Sequence, residues 1–79
     1  MTKLKEKLIE LGYEYEWLNI YQKKFSKIFV LAIDLYPSVI YGRVHCLVAE
    51  FQNQQDIDNL QLAFDTMQKD LEVLKQYEK

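Results

Sequence analysis

The stretch from Lys27 to Leu35, KIFVLAIDL, constrains this chain more than any other. Ile28, Val30 and Ala32 alternate with Phe29, Leu31, Ile33 and Leu35, so a strand here is apolar on both faces. Such a strand needs hydrogen-bonded neighbours and covered faces. The unbroken apolar run, Ile28 to Ile33, is far shorter than the ~20 residues that span a bilayer. The segment therefore predicts a central strand in a sheet that helices cover.

The flanking residues supply the neighbours. Downstream, Pro37–Ser38 predicts a hairpin turn, because proline cannot continue a ladder. A third strand is predicted from Val39 to Phe51, with a bend or bulge at Gly42. Val44, Cys46 and Val48 share one face of it, and Tyr41, Arg43, His45, Leu47, Ala49 and Phe51 the other. Upstream, Tyr13, Tyr15 and Trp17 alternate with Glu14 and Glu16. After Trp17 the apolar phase switches to Leu18 and Ile20, which calls for a bulge at Trp17–Leu18 or the end of the strand. Gln22 to Ser26, polar and lysine-bearing, predicts the turn into the central strand.

Helices are predicted at both ends. Leu4, Leu8 and Leu11 recur at helical spacing, with Thr2 as the cap and Gly12 just past the end. Asn53 is placed to cap a helix from 54 to about 77, with Asp56 in its first turn. Along it Ile57, Leu60, Phe64, Met67, Leu71 and Leu74 are spaced 3, 4, 3, 4, 3, uninterrupted by Gly or Pro. Its length would be roughly 35 Å. The expected fold is α+β, ordered α-β-β-β-α: a three-stranded antiparallel sheet covered on one face by a short N-terminal and a long C-terminal helix.

With 79 residues, the chain is expected to form a single domain over 1–79. So short a chain needs a dense core, and 49% hydrophobic with 14% aromatic residues can supply one. The lone Cys46 forms no internal disulfide, which predicts a reducing, cytoplasmic setting. MTKLKEKLIELG has no apolar core of the signal-peptide kind. The wealth of Lys, Ile, Tyr and Gln is that of an AT-rich genome, such as a low-GC bacterium or its phages. Charge divides unevenly: residues 1–49 hold seven basic and five acidic groups, residues 50–79 three and seven. An acidic C-terminal half argues against that half lying on a phosphate backbone.

No catalytic, cofactor or metal site is predicted. His45 and Cys46 are adjacent on a strand, so they point to opposite faces, and no second His or Cys completes a zinc set. Cys46 is expected to be a small core residue. Asp34, Glu50 and Asp56 match no calcium-loop spacing. Lys23, Lys24 and Lys27 are expected to be solvated, and the YEYEW strand to pack in the core or at an edge. The candidate interaction residues lie on the last helix. Asp58, Asp65 and Glu72, seven apart, form an acidic strip. Leu71, Leu74 and Tyr77 are expected to project beyond the sheet, because the helix outruns strands of usual length.

The α-β-β-β-α order resembles that of double-stranded-RNA-binding domains over nearly the whole chain. Where that family carries lysines at the start of its second helix, Gln54, Gln55 and Asp56 stand here, so the resemblance implies a fold and not RNA binding. HicA-type ribonuclease toxins share the order, and Arg43–Val44–His45 is the feature nearest their Gly-Ser-His motif. Some small acidic anti-CRISPR proteins of phages look similar too. The expected function is a non-enzymatic protein-interaction domain acting through its C-terminal helix and sheet surface, by homodimerisation or on another protein. The alternatives are a phage or mobile-element inhibitor docking on a basic groove of a host protein, and a HicA-like toxin using His45. No small-molecule ligand, membrane partner or direct nucleic-acid contact is predicted.

Overall fold

The computed structural model describes residues 2–35 and 39–77. Helix α1 (Thr2–Glu10) leads into strands β1 (Glu14–Trp17), β2 (Ile20–Lys24), β3 (Phe29–Leu35) and β4 (Ile40–Cys46). Helix α2 (Gln54–Leu74) follows, ending in a 3-10 turn over Lys75–Tyr77. The strands form one antiparallel sheet in sequence order, β1-β2-β3-β4. The α+β class is as the sequence predicts, but the sheet has four strands where three were expected. The resemblances above rest on a three-strand order, and the fourth strand removes that basis.

The extra strand comes from a chain reversal at Leu18–Asn19. Trp17 pairs with Ile20, so the phase switch after Trp17 is a hairpin. Leu18 makes the reversal at φ 51, in the left-handed region that bulky side chains rarely enter. No Gly or Pro announces the turn. A bulge is present as well, at Glu16, where the register shifts between Tyr15 and Trp17. Gln22, Lys23 and Lys24, expected in a turn, are instead strand residues opposite Ala32, Leu31 and Val30. The turn lies after them, at Phe25–Ile28.

The helix ends are built as the sequence indicates. Gly12, at φ 99, closes α1: its N–H donates to the Ile9 carbonyl while the Tyr13 N–H donates to that of Leu8. Asn53 caps α2 by accepting from the Asp56 N–H at 3.0 Å, and the Asp56 carboxylate accepts from the Gln52 N–H at 2.9 Å. The capping role of Thr2 and the turn at Pro37–Ser38 lie outside the described residues and side chains.

Alternate residues of β3 decide where the core sits. Phe29, Leu31, Ile33 and Leu35 point to the helices and join Leu4, Leu8, Tyr13, Tyr21, Ile40, Ala63, Met67 and Leu74 in one cluster. Each such side chain removed from water stabilises the fold by about 1.5–3 kcal/mol. The opposite face carries no helix among the described residues. Ala32 is nonetheless fully buried there, flanked across the strands by Gln22 and Arg43.

β4 is shorter than expected, ending at Cys46 rather than Phe51. Cys46 is exposed, not a core residue, because it lies at the strand's end, where its thiol reaches the Val48 carbonyl at 3.3 Å. Gly42 marks no bulge either, since it pairs regularly with Ile33. Its role is close approach. A Cβ on it would stand 2.4 Å from the Met67 sulfur and 2.9 Å from a Leu71 methyl. Gly42→Ala should therefore lift α2 from the sheet and cost about 1–3 kcal/mol. In a double-mutant cycle with Met67→Ala, measured by urea denaturation, part of that cost should disappear.

Candidate functional site

Under the C-terminal half of α2 lies a polar cluster inside the core. The Tyr13 hydroxyl donates to Asp70 Oδ2 at 2.7 Å, and Lys23 Nζ donates to the same oxygen at 3.0 Å. Lys23 also donates to the Leu11 carbonyl at 2.9 Å, and its ammonium stands 4.6 Å from the centre of the Tyr13 ring. Asp70 is only 7% exposed. Three elements are joined here by side-chain hydrogen bonds: the α1 terminus, β2 and α2. Lys23 thus departs from the solvated role expected for the lysine group, whereas Lys24 and Lys27 are exposed. No buried side-chain polar atom among the described residues lacks a partner, so the cluster is a structural lock rather than an open site.

Burial raises the Tyr13 phenol above its ordinary value of 10.0, and the Asp70 carboxylate, which accepts its proton and repels a phenolate, adds to the rise. The folded chain thus holds this proton to higher pH than the unfolded chain. The associated stability is complete below about pH 10 and is lost as pH rises beyond it. Unfolding free energy measured from about pH 9 to about pH 11 should fall more steeply for the wild type than for Tyr13→Phe, by up to ~1.4 kcal/mol per pH unit.

The residues expected to form an interaction site divide in two. Asp58, Asp65 and Glu72 are exposed along the solvent side of α2, and Gln54 and Gln61 donate to Asp58 and Asp65 one turn on. The apolar members do not project. Leu74 is fully buried, Leu71 is half-buried against Gly42, and Tyr77 is half-buried against the core. The end of α2 that overhangs is the N-terminal one, where Ile57 is 48% and Phe64 52% exposed. Met67 and Leu71 sit over Gly42, in the middle of β4, so the preceding three turns of α2 run toward and past Cys46. Leu47, Val48 and Phe51, on the connection between them, are exposed too. Ala63 and Asp70 take the buried positions that an evenly spaced stripe gives to Phe64 and Leu71.

On the uncovered sheet face the register sets Trp17, Ile20, Asp34 and Tyr41 in one row. Lys24, Val30 and His45 form another. Arg43, in the row between them, donates to Asp34 at 2.9 Å. Tyr15 and Trp17 of the YEYEW segment are exposed, with Tyr15 edge-on to Tyr21, while Tyr13 is buried in the core. His45 stands opposite Val30 and Cys46 opposite Phe29, on opposite faces. Among the described residues no group of three or more His, Cys, Asp or Glu side chains converges to hold a metal. Nor is any helix among them long and apolar enough to cross a membrane.

Depressions among the described residues are small. One of about 210 Å³ lies between Lys3, Glu6, Lys7, Glu10 and Tyr77, and one of about 170 Å³ lies at the β1–β2 turn beside Asp34. Both are smaller than the ~300–1,000 Å³ clefts that hold small molecules. In comparisons with family models, curated proteins and solved structures, nothing matches this chain significantly.

Proposed function

We propose that this chain is a protein-interaction domain that binds through α2 and the exposed sheet surface, without turning over a substrate. The observation that carries this reading is the apolar surface at one end of the molecule: Leu47, Val48, Phe51, Ile57 and Phe64 are all exposed. Single exposed apolar residues are ordinary, but with Leu62 these make six within eighteen residues of chain, a density of the kind that partners cover. Aromatic anchors such as Phe51 and Phe64 suit the centre of an interface. The test is capture of partners by tagged wild type against Ile57→Ser/Phe64→Ser, with circular dichroism confirming that both are folded. Partners retained equally by the two proteins would defeat the reading.

A second reading uses the other side of the same helix. Asp58, Asp65 and Glu72 form an exposed strip on an acidic half-chain, suited to docking on a basic groove that otherwise holds nucleic acid. An inhibitor of that kind should lose its partner when all three are changed to lysine, and its association rate should fall with added salt. A partner that binds the triple variant undiminished would exclude it.

A further inference from the structure

We infer that the partner which covers the β4-side flank of α2 is a second copy of this chain, joined by antiparallel pairing of β4 with β4 into one eight-stranded sheet. The inference rests on the interaction-domain reading and deepens it.

The first observation is the edge. β4 pairs with β3 on one side, and no strand among the described residues pairs with the other. The Leu47 N–H donates inward to the Ile28 carbonyl at 2.8 Å, and antiparallel ladders alternate along the strand. Arg43 and His45 therefore turn their backbone groups inward too, and Gly42, Val44 and Cys46 turn theirs outward. These outward groups offer a ladder to another strand.

The second observation is the flank that α2 turns toward the free edge of β4. Asp70 reaches Lys23 on β2, so that flank of the helix faces the sheet interior. The opposite flank lies on the β4 side, where Leu71 stands over Gly42. It carries Ile57, Gln61, Phe64, Gln68, Leu71 and Lys75, spaced 4, 3, 4, 3, 4. This row holds no carboxylate, although residues 50–79 hold seven acidic groups against three basic ones. Acidic half-chains repel their own copies, and this flank carries none of the carboxylates that cause the repulsion. A two-fold axis perpendicular to the sheet keeps both helices on one face and sets this flank against itself, edge beside edge.

Charge also excludes one register. Centring the axis on Arg43 places two like charges directly opposite, which destabilises a pair. Centring it on Val44 sets Arg43 opposite the second copy's His45, and Gly42 opposite the second copy's Cys46. Val44 then meets its own copy in a hydrogen-bonded pair, with Cα atoms about 5.5 Å apart.

The available area approaches what a stable interface buries. The flank is as long as α2, about 31 Å, and the molecule's short axis is 20 Å, so the face is on the order of 600 Å². Standard interfaces bury about 800 Å² per partner, roughly one-seventh of the 5652 Å² this chain exposes. The connection carrying Leu47, Val48 and Phe51 adds to the face at its end.

Sedimentation equilibrium of the full chain at micromolar concentration should report a dimer. In a Cys46→Ser background, Val44→Cys should cross-link to a covalent dimer on mild oxidation, because that Cα spacing suits a disulfide. Phe64→Glu should raise the dissociation constant about 100-fold or more while circular dichroism stays native, since the symmetry counts each Phe64 twice. A wild type that sediments as a monomer, with Val44→Cys failing to cross-link, overturns the inference. A dimer that survives Phe64→Glu and fails to cross-link at Val44→Cys overturns it equally. The interaction-domain reading is judged separately, by whether Ile57→Ser/Phe64→Ser loses a different protein.

Discussion

Asp70→Ala is expected to destabilise the fold by about 3 kcal/mol, near the lower end of what breaking a buried ion pair costs. The lower end applies because the Lys23 side chain keeps 20% of its surface exposed and can lean toward water. The loss has two parts. The Tyr13 hydroxyl, on a residue 1% exposed, has its acceptor removed, and the Lys23 ammonium keeps only the Leu11 carbonyl and the face of the Tyr13 ring. A chain of 79 residues is stabilised by only about 4–12 kcal/mol in total. The variant should therefore lie close to its unfolding threshold near 37 °C. Urea denaturation gives the value, and a cost under about 1 kcal/mol would mean that solvent already screens the pair. Restoring the site without charge is the sharper test. Tyr13→Phe/Lys23→Met/Asp70→Leu removes all three polar partners together and should recover most of the loss, because no buried group is left unpaired.

That cluster also shows what the sequence does and does not disclose. Strand and helix periodicity placed the central strand, both helices and both of the caps that can be described, because each rests on local spacing or on a residue's own side-chain chemistry. Asp70 follows no such rule. It stands on α2 among Lys69, Leu71 and Glu72, and its contacts with a tyrosine 57 and a lysine 47 residues away make it a core residue. Lys23 was hidden for the same reason: a strand lysine whose ammonium is met by a buried carboxylate looks, in sequence, like a turn lysine. The β1–β2 hairpin was half visible. The phase switch at Trp17–Leu18 was legible, but the turn itself uses Leu18 at φ 51 instead of Gly, so the usual signal was missing. On α2 the apolar spacing gave the right helix and a rotated face. The stripe counts Phe64 and Leu71, whereas Gly42 draws Met67 and Leu71 onto β4 and the core takes Ala63 and Asp70 beside them. Small and polar residues at buried positions cannot be told from surface ones by hydrophobic pattern alone.

The seat of Met67 and Leu71 over Gly42 reverses which end of α2 is free, and two glutamate substitutions should separate the possibilities. Leu74 is 0% exposed, whereas Phe64 is 52% exposed. Placing a carboxylate at Leu74 removes a packed side chain, at about 2–5 kcal/mol, and adds the several kcal/mol needed to desolvate an unpaired charge. The sum matches or exceeds the whole stability of a domain this size, so Leu74→Glu should be unfolded at 25 °C and give no cooperative transition. Phe64→Glu replaces a ring already half in water, in a helix where glutamate is well tolerated, and monomer stability should change by no more than about 1 kcal/mol. Circular dichroism with thermal melting reads both directly. If the C-terminal end of α2 were the projecting one, the two outcomes would exchange: Leu74→Glu would melt like the wild type and Phe64→Glu would not fold. The same pair shows why loss of self-association means something at Phe64 and nothing at Leu74, since only a substitution that leaves the monomer folded can report on an interface.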